Sequence, residues 1–386
     1  ILVPKLEAFV KSPEEYAPSK APVFYNPVME LNRDLAILAV QAHQKTVNHD
    51  TMVCEPLASS GIRGVRFATE VDGIKLVVMN DISKRAVQIA KHNVKMNRLE
   101  KKVLVKNEDA NLLLSRHAAP HKRFDVVDID PFGSPVPYID SAVRALRDNG
   151  LIALTATDMA PLCGVYPKAC IRKYGGKPLR TEYNHELAVR LLAGCLATMT
   201  AKHEIGISIL FCHSSNHYIR LYAKVQYNAK KADECLKNIG YAMHCFKCFH
   251  RKNAEGLVPP KLPSTCDQCG TNLSISGPLW VGRLFDREFC ELMENALRQR
   301  KLKQAQRIAK MLVTAKSEAE APLGYYVVDR LCDKLNLPVP SVRNVIEALR
   351  KEDFEAYQTI FNTKGIKTDA PAMKVMEVVR KLARRS

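Results

Sequence analysis

Between residues 51 and 225, short apolar runs alternate with longer segments whose apolar residues recur three or four apart, so the pattern predicts strands separated by helices. Strands are expected at 51–54, 75–79, 102–105, 124–129, 151–155, 204–211 and 218–225. Helices are expected at 83–97, opened by Ser83 as a cap, and at 186–200. The last two strands are parted only by a short link containing His213, Ser214, Ser215, Asn216 and His217, which permits an antiparallel pair and forbids a parallel crossover. Ahead of the alternation lies a polar, proline-bearing entry with one helix at 32–45. Behind it come a cysteine-bearing insert at 241–276, a basic helical stretch, and two helices at 325–335 and 341–351, the second capped by Ser341. These last two suggest a winged-helix-like docking unit.

Five parallel strands closed by an antiparallel pair make an α/β fold of the class I (Rossmann-like) methyltransferase type, because dinucleotide-binding dehydrogenases lack the closing hairpin. The expected organisation is an N-terminal segment at 1–50 that contributes to the active site, a cofactor-binding domain at 51–225, and a C-terminal α+β domain at 226–386 with a zinc-ribbon-like insert.

Charge narrows the partner. The 58 Lys+Arg against 40 Asp+Glu leave a net charge of +18, which favours polyanions and nucleic acid first among them, although a ribosomal or membrane-surface protein would show the same excess. No stretch approaches the roughly 20 apolar residues that cross a bilayer, and no basic segment followed by an apolar core opens the chain. A cytoplasmic protein without a membrane partner is expected, nuclear or mitochondrial placement being the eukaryotic variants. A start at Ile1 rather than methionine leaves room for a short missing N-terminal piece.

Candidate chemistry gathers where strands end. Asp128-Ile129-Asp130-Pro131-Phe132-Gly133-Ser134-Pro135 follows the run 124–127 and suits the grip of an exocyclic amine on a nucleobase. Such a nitrogen is a weak nucleophile, its lone pair being delocalised into the ring. Asp130 could accept one N–H and take up the proton, the Pro131 carbonyl the other, while Phe132 stacks on the base. A plain Pro-Gly turn is the alternative. After the first strand, Glu55 to Gly64 form a small-residue loop that lacks the G-x-G-x-x-G pattern, because Ser59 stands at its first glycine. Asp81, 20 residues after Gly61, could accept two ribose hydroxyls, and Asp109-Ala110 could meet an adenine edge. Each acid alone could equally be a loop or cap residue. Taken together, four successive strand ends point to S-adenosylmethionine.

These residues resemble the tRNA guanosine-26 N2-dimethyltransferase family. The resemblance runs through Phe24-Tyr25-Asn26-Pro27, Asn32-Arg33-Asp34, Ser60 to Gly64, Asn80-Asp81, Asp128 to Pro135 and Thr155 to Leu162. It continues in Gly277-Pro278-Leu279-Trp280 and Lys367-Thr368-Asp369-Ala370-Pro371, and so covers nearly the whole chain. It implies methylation of the guanosine 26 N2 amine of tRNA to mono- and dimethyl products. Arg33, Arg63, Asp81, Asp109 and Ala110 would then hold S-adenosylmethionine, with Arg33 on its carboxylate. Asp130 would bind and deprotonate the amine, and Phe24 and Phe132 would sandwich the base. Glu55 departs from the aspartate frequent in the first-strand motif.

Cys245-x-x-Cys248 and Cys266-x-x-Cys269, separated by 17 residues, have the spacing of a closed four-thiolate zinc site with a structural role. The neighbouring His244 and His250 are expected to face solvent. Arg298, Arg300, Lys301, Lys303, Arg307, Lys310 and Lys316 are expected on a basic helix, which offers either a solvated face or a phosphate-tracking one. Three rival activities remain. A pyrimidine C5 methyltransferase would use Cys163 or Cys170 as nucleophile. An adenine N6 methyltransferase shares the acid-Pro-aromatic logic, and a non-catalytic RNA-binding scaffold would need neither. A monomer is expected.

Overall fold

In the computed structural model, which describes residues 1–5, 21–215, 217–258 and 261–384, the alternation becomes seven strands of one sheet. Asn216 of the short link and most of the proline-bearing entry lie outside the described residues. The strands are β1 (Thr51–Glu55), β2 (Ile74–Asn80), β3 (Val103–Lys106), β4 (Phe124–Ile129), β5 (Leu146–Ala156), β6 (Ile205–Ser214) and β7 (Ile219–Tyr227), in the order β3-β2-β1-β4-β5-β7-β6. The first five pair in parallel, and the β6–β7 link is too short for a crossover, so the sheet has the class I methyltransferase arrangement. Strand β5 begins five residues before the expected 151. Asp148, Asn149 at φ +60° and Gly150 interrupt its apolar pattern where the register with β4 shifts, and that irregularity hid its first half.

The chain divides into two compact units, one of residues 1–156, 222–227 and 291–309, the other of 157–221, 228–290 and 310–386. In the first, α1 (Glu30–Gln44) is buried along nearly its whole length, Asn32 and Arg33 included. Helices α2 (Ile62–Glu70), α3 (Lys84–Met96), α4 (Ala110–Arg116) and α5 (Val136–Arg144) alternate with β1–β5. Ser83 caps α3 as expected, its side chain accepting from the Ala86 amide. This unit also corrects the basic-helix expectation for Arg300. Its Nη2 and Nε donate to the Glu70 carbonyl at 2.7 and 3.2 Å, and its Nη1 donates to the Ala296 carbonyl at 2.8 Å. A helix C-terminus leaves carbonyls without partners, and Arg300 closes that of α2 instead of facing phosphate.

The second unit holds α6 (Met159–Leu162), α7 (Pro167–Tyr174), α8 (Asn184–Ala201), α9 (Ala229–Lys237) and a sheet of β8 (Ile239–His244), β9 (Arg251–Glu255) and β10 (Ser274–Trp280). Helix α8 is apolar nearly all round and packs against β6 and β10. Helices α10 (Arg287–Arg298) and α11 (Ala305–Ser317) stand where one basic helix was expected, with Arg300, Lys301 and Lys303 in the link, and their residues 291–309 belong to the first unit. Then come β11 (Tyr326–Val327), α12 (Val328–Leu335), α13 (Val342–Arg350), β12 (Ala356–Thr359), β13 (Asn362–Thr368) and α14 (Ala372–Ala383). Two helices followed by the β12–β13 hairpin, with sheet order β11-β13-β12, have the topology of a winged helix. Ser341 caps α13. Among the described residues no helix is long and apolar enough to cross a membrane.

Candidate active site

The cofactor loop is laced to its neighbours through side chains that end successive strands. Asn80, at the end of β2, donates from Nδ2 to the carbonyls of Pro56 and Glu108 at 3.0 and 2.9 Å and accepts the Glu108 amide at 3.0 Å. Asp81 accepts the Ser59 amide with one carboxylate oxygen and the Ser83 amide with the other, both at 2.9 Å. Ser59 in turn donates from Oγ to the Phe24 carbonyl at 2.8 Å. The loops after β1, β2 and β3 and the segment carrying Phe24 therefore form one framework. Gly61 enters α2 at φ +73°, which favours glycine, and a Cβ on Gly64 would sit 2.3 Å from Met79 Sδ. Helix α2 thus lies so close to β2 that only glycine fits there.

Asp109 is also a cap. Its Oδ1 accepts the Leu112 amide at 3.0 Å at the start of α4, of which the buried Ala110 is the first residue. Both sequence readings of this acid are compatible with that position, since the second carboxylate oxygen has no part in the cap.

The acids of the Asp-Ile-Asp run converge on one guanidinium. Residues two apart in an extended chain point the same way. Asp128 and Asp130 accordingly both reach Arg63, Asp128 at 3.3 Å from Nη1 and Asp130 in an ion pair with Nη2. Glu55 adds a third carboxylate 3.8 Å from Nε and accepts the Gly64 amide at 2.9 Å. Burial pushes Glu55 up to about 8, against the pull of Arg63 and with Asp128 and Asp130 adding to the rise. Arg33 lies near this group. Burial lowers its pKa, Arg63 lowers it further, and Tyr25 and Asp130 oppose the change. Its Nη1 donates to the Asn26 carbonyl at 3.0 Å, and its guanidinium lies 5.3 Å from the Tyr25 ring centre.

Pro131 is buried, whereas the Phe132 side chain is exposed. The Phe24 and Phe132 rings touch edge to face, centroids 4.5 Å apart at 79°. A base held between two stacked rings needs about 7 Å, two contacts of about 3.5 Å, so the rings must part to admit one. Sequence reasoning gave no role to Asp128, Glu55, Ser59 or Asn80. The Asp-x-Asp alternation was the available signal for Asp128.

The cysteines come together. Sγ of Cys245, Cys248, Cys266 and Cys269 all lie within 4.8 Å of one another, with two pairs at 3.5 Å. Tetrahedral zinc with Zn–S of about 2.3 Å spaces its sulfurs about 3.8 Å apart, so the four thiols fit that ion. Both knuckles turn alike. The amides of Phe249 and Gly270 donate to the carbonyls of Cys245 and Cys266 at 2.8 Å, and both residues adopt positive φ, +60° and +69°. His244 is wholly buried rather than solvent-facing, because it closes β8 on its inner side among Tyr183, Phe246 and Phe249. His250 is partly buried, with Nε2 3.1 Å from Asp267. Cys163 and Cys170 are buried, and burial pushes their thiols up to about 11 and 12, which disfavours nucleophilic thiolates.

The family model for N2,N2-dimethylguanosine tRNA methyltransferases matches residues 5–380. A tRNA (guanine(26)-N(2))-dimethyltransferase of Methanobrevibacter smithii is 44% identical over 365 residues, covering 95% of this chain and 93% of that one. The tRNA (guanine(26)-N(2)/guanine(27)-N(2))-dimethyltransferase of Aquifex aeolicus is 35% identical, covering 99% and 94%. Among solved structures, Trm1 from Pyrococcus horikoshii in complex with S-adenosyl-L-methionine superimposes with a TM-score of 0.84 at 32% identity, over 98% of this chain and 97% of that one. By extent and identity alike, this chain belongs to the N2,N2-dimethylguanosine tRNA methyltransferase family.

Proposed function

We propose that this protein methylates the N2 amine of guanosine 26 in tRNA, once and then again, with Asp130 as the acid that receives the amine proton. The observation that carries this reading is Asp130 just after β4, ion-paired to Arg63 in the first turn of α2 and followed two residues on by Phe132. S-adenosylmethionine, when bound, supplies an electrophilic methyl group. Arg33 pairs with its carboxylate, Arg63 helps to hold it, Asp81 accepts from its ribose, and Asp109 and Ala110 face its adenine.

Asp130 and the Pro131 carbonyl accept the two N–H groups of the guanine amine and aim its lone pair. Phe24 and Phe132 part and close on the two faces of the base, which must leave its stack in the folded tRNA to be reached. For the second transfer the methylated amine turns and presents its remaining hydrogen to Asp130. The segment 226–386 supplies the tRNA-binding surface, with the winged-helix topology and the cysteine site in it. Zinc there would be structural, since four thiolates leave it no open position. The protein acts as a cytoplasmic monomer in this reading.

The test is incubation with S-adenosylmethionine and two tRNA transcripts that differ only in G or A at position 26, followed by nucleoside mass spectrometry. N2-methylated guanosine from the first transcript alone is expected. Equal N2-methylation of both would move the target elsewhere in the tRNA, and methylated adenosine would replace the substrate. Elemental analysis of protein never exposed to chelator should find one zinc per chain.

A further inference from the structure

The two arginines assigned to the cofactor are held by different kinds of partner. Arg33 donates to a backbone carbonyl, that of Asn26, and lies beside the Tyr25 ring. Arg63 is held by carboxylates, those of Glu55, Asp128 and Asp130. The cofactor's own carboxylate is the same chemical group, and it asks for the same planar donor. The acids around Arg63 are not equally free to yield. Asp128 is fully buried and Glu55 nearly so, and moving either away would strand a buried charge or a broken amide contact. The Asp130 side chain is 20% exposed and ends a strand, so it is the one that can turn away.

We propose that Arg63 is a shared positioning residue, for which Asp130 and the carboxylate of S-adenosylmethionine compete. Cofactor binding then loosens the Arg63–Asp130 pair and leaves an Asp130 oxygen available to the guanine amine. Cofactor loading thereby prepares the site for the base. This inference rests on the cofactor and Asp130 assignments made above. Coupling of this kind is reciprocal. Neutralising Asp130 must therefore tighten the hold on the amino-acid end of the cofactor, and on no other part of it.

Calorimetric titration with two nucleosides tests the point. S-adenosylhomocysteine keeps the amino-acid end without the sulfonium charge, and 5′-methylthioadenosine lacks the amino-acid end altogether. Asp130→Asn should bind S-adenosylhomocysteine about tenfold tighter than the unmodified protein does, within the usual range of coupling between sites. It should bind 5′-methylthioadenosine unchanged. In an Arg63→Lys background, which offers a point charge in place of the fork, Asp130→Asn should gain less than about threefold. Should Arg63→Lys fail to fold, the Asp130→Asn comparison decides alone. S-adenosylhomocysteine affinity that is unchanged or weaker in Asp130→Asn, or an equal gain for both nucleosides, overturns the proposal. If neither nucleoside binds the unmodified protein, the cofactor assignment itself falls and takes this inference with it.

Discussion

Each unit buries a cluster of charged side chains, and the two clusters are built on opposite plans. In the second unit Glu186 and Glu318 face Arg190 and Lys367, two acids against two bases. Lys367 Nζ lies 3.0 Å from Glu186 and 3.4 Å from Glu318, and Arg190 lies 2.9 Å from Glu186. Backbone groups add further partners, and Glu186 Oε2 alone of its two oxygens is buried without a hydrogen-bond partner. Arg190 donates to the carbonyls of Trp280 and Gly282, and Glu186 accepts the Gly324 amide. In the first unit Glu55, Asp128 and Asp130 share Arg63. One cluster is balanced and closed; the other carries surplus acid and lets one member reach solvent. The titration directions divide the closed cluster itself. Lys367 and Arg190 bring Glu186 below the ordinary carboxylate range although burial alone would raise it, while burial raises Glu318 in the same cluster and Glu55 in the other. Buried charge by itself therefore says little about chemistry, and the acid that reaches solvent is the informative sign. A cavity of about 290 Å³ lined by Arg190, Glu318 and Lys367 illustrates the point, since the charges in its wall already satisfy one another.

If the closed cluster serves stability, removing its central cation should have the largest effect of any change considered. Lys367→Met is expected to cost about 3–5 kcal/mol in chemical denaturation, because two buried carboxylates lose their partner. Methylation by the fraction that stays folded should be unaltered. A stable but inactive Lys367→Met would break the comparison from this side. The open cluster should answer in the reverse sense. Asp130→Asn should lower the methylation rate at least about 100-fold, the usual contribution of a general base. Its unfolding free energy should stay within about 0.5 kcal/mol, as for a substitution that strands no buried group.

A third expectation concerns pH. Burial pushes Glu318 up to about 7, against the pull of Lys367. The folded chain therefore keeps a proton that the unfolded chain releases near the ordinary carboxylate value, and stability from this group declines as pH rises through that window to about 7. Glu318→Gln abolishes the decline. The variant should gain about 1–3 kcal/mol on the unmodified protein between pH 5 and pH 8. Parallel stability curves for the two proteins would show Glu318 to be ionised throughout.

The smallest effect sharpens the contrast between structural and RNA-facing cations. Arg300→Met should lose about 1 kcal/mol of stability with the hydrogen bonds that close α2. Its affinity for tRNA should be nearly unchanged, and a fivefold loss would return Arg300 to the phosphate-facing set.

Much of the first unit was legible because strand ends punctuate the sequence. The apolar runs gave β1–β4 to within a residue or two, and the acids after them fell where the framework needs them. Ser83 and Ser341 announced their helices through capping chemistry. What stayed hidden depends on long-range partners. Nothing local distinguishes Arg300 from Lys301, and only the approach of Glu70, 230 positions away, makes it a helix cap. His244 reads as a polar neighbour of a knuckle until β8 turns it inward. The Lys367 and Trp280 segments, which carry part of the family resemblance, proved to be pieces of the closed cluster. A motif can mark an interior that must be neutralised as readily as a surface that reacts.

Trp280, whose carbonyl receives Arg190, is the chain's single tryptophan. Its indole is 4% exposed and donates to the Arg283 carbonyl at 2.9 Å. The second unit thus carries the chain's one indole and the first carries none. Emission excited at the indole band registers the melting of one unit, while far-ultraviolet circular dichroism sums over both. Overlaying the two signals during denaturation would reveal, without any label, whether the units unfold together or in turn.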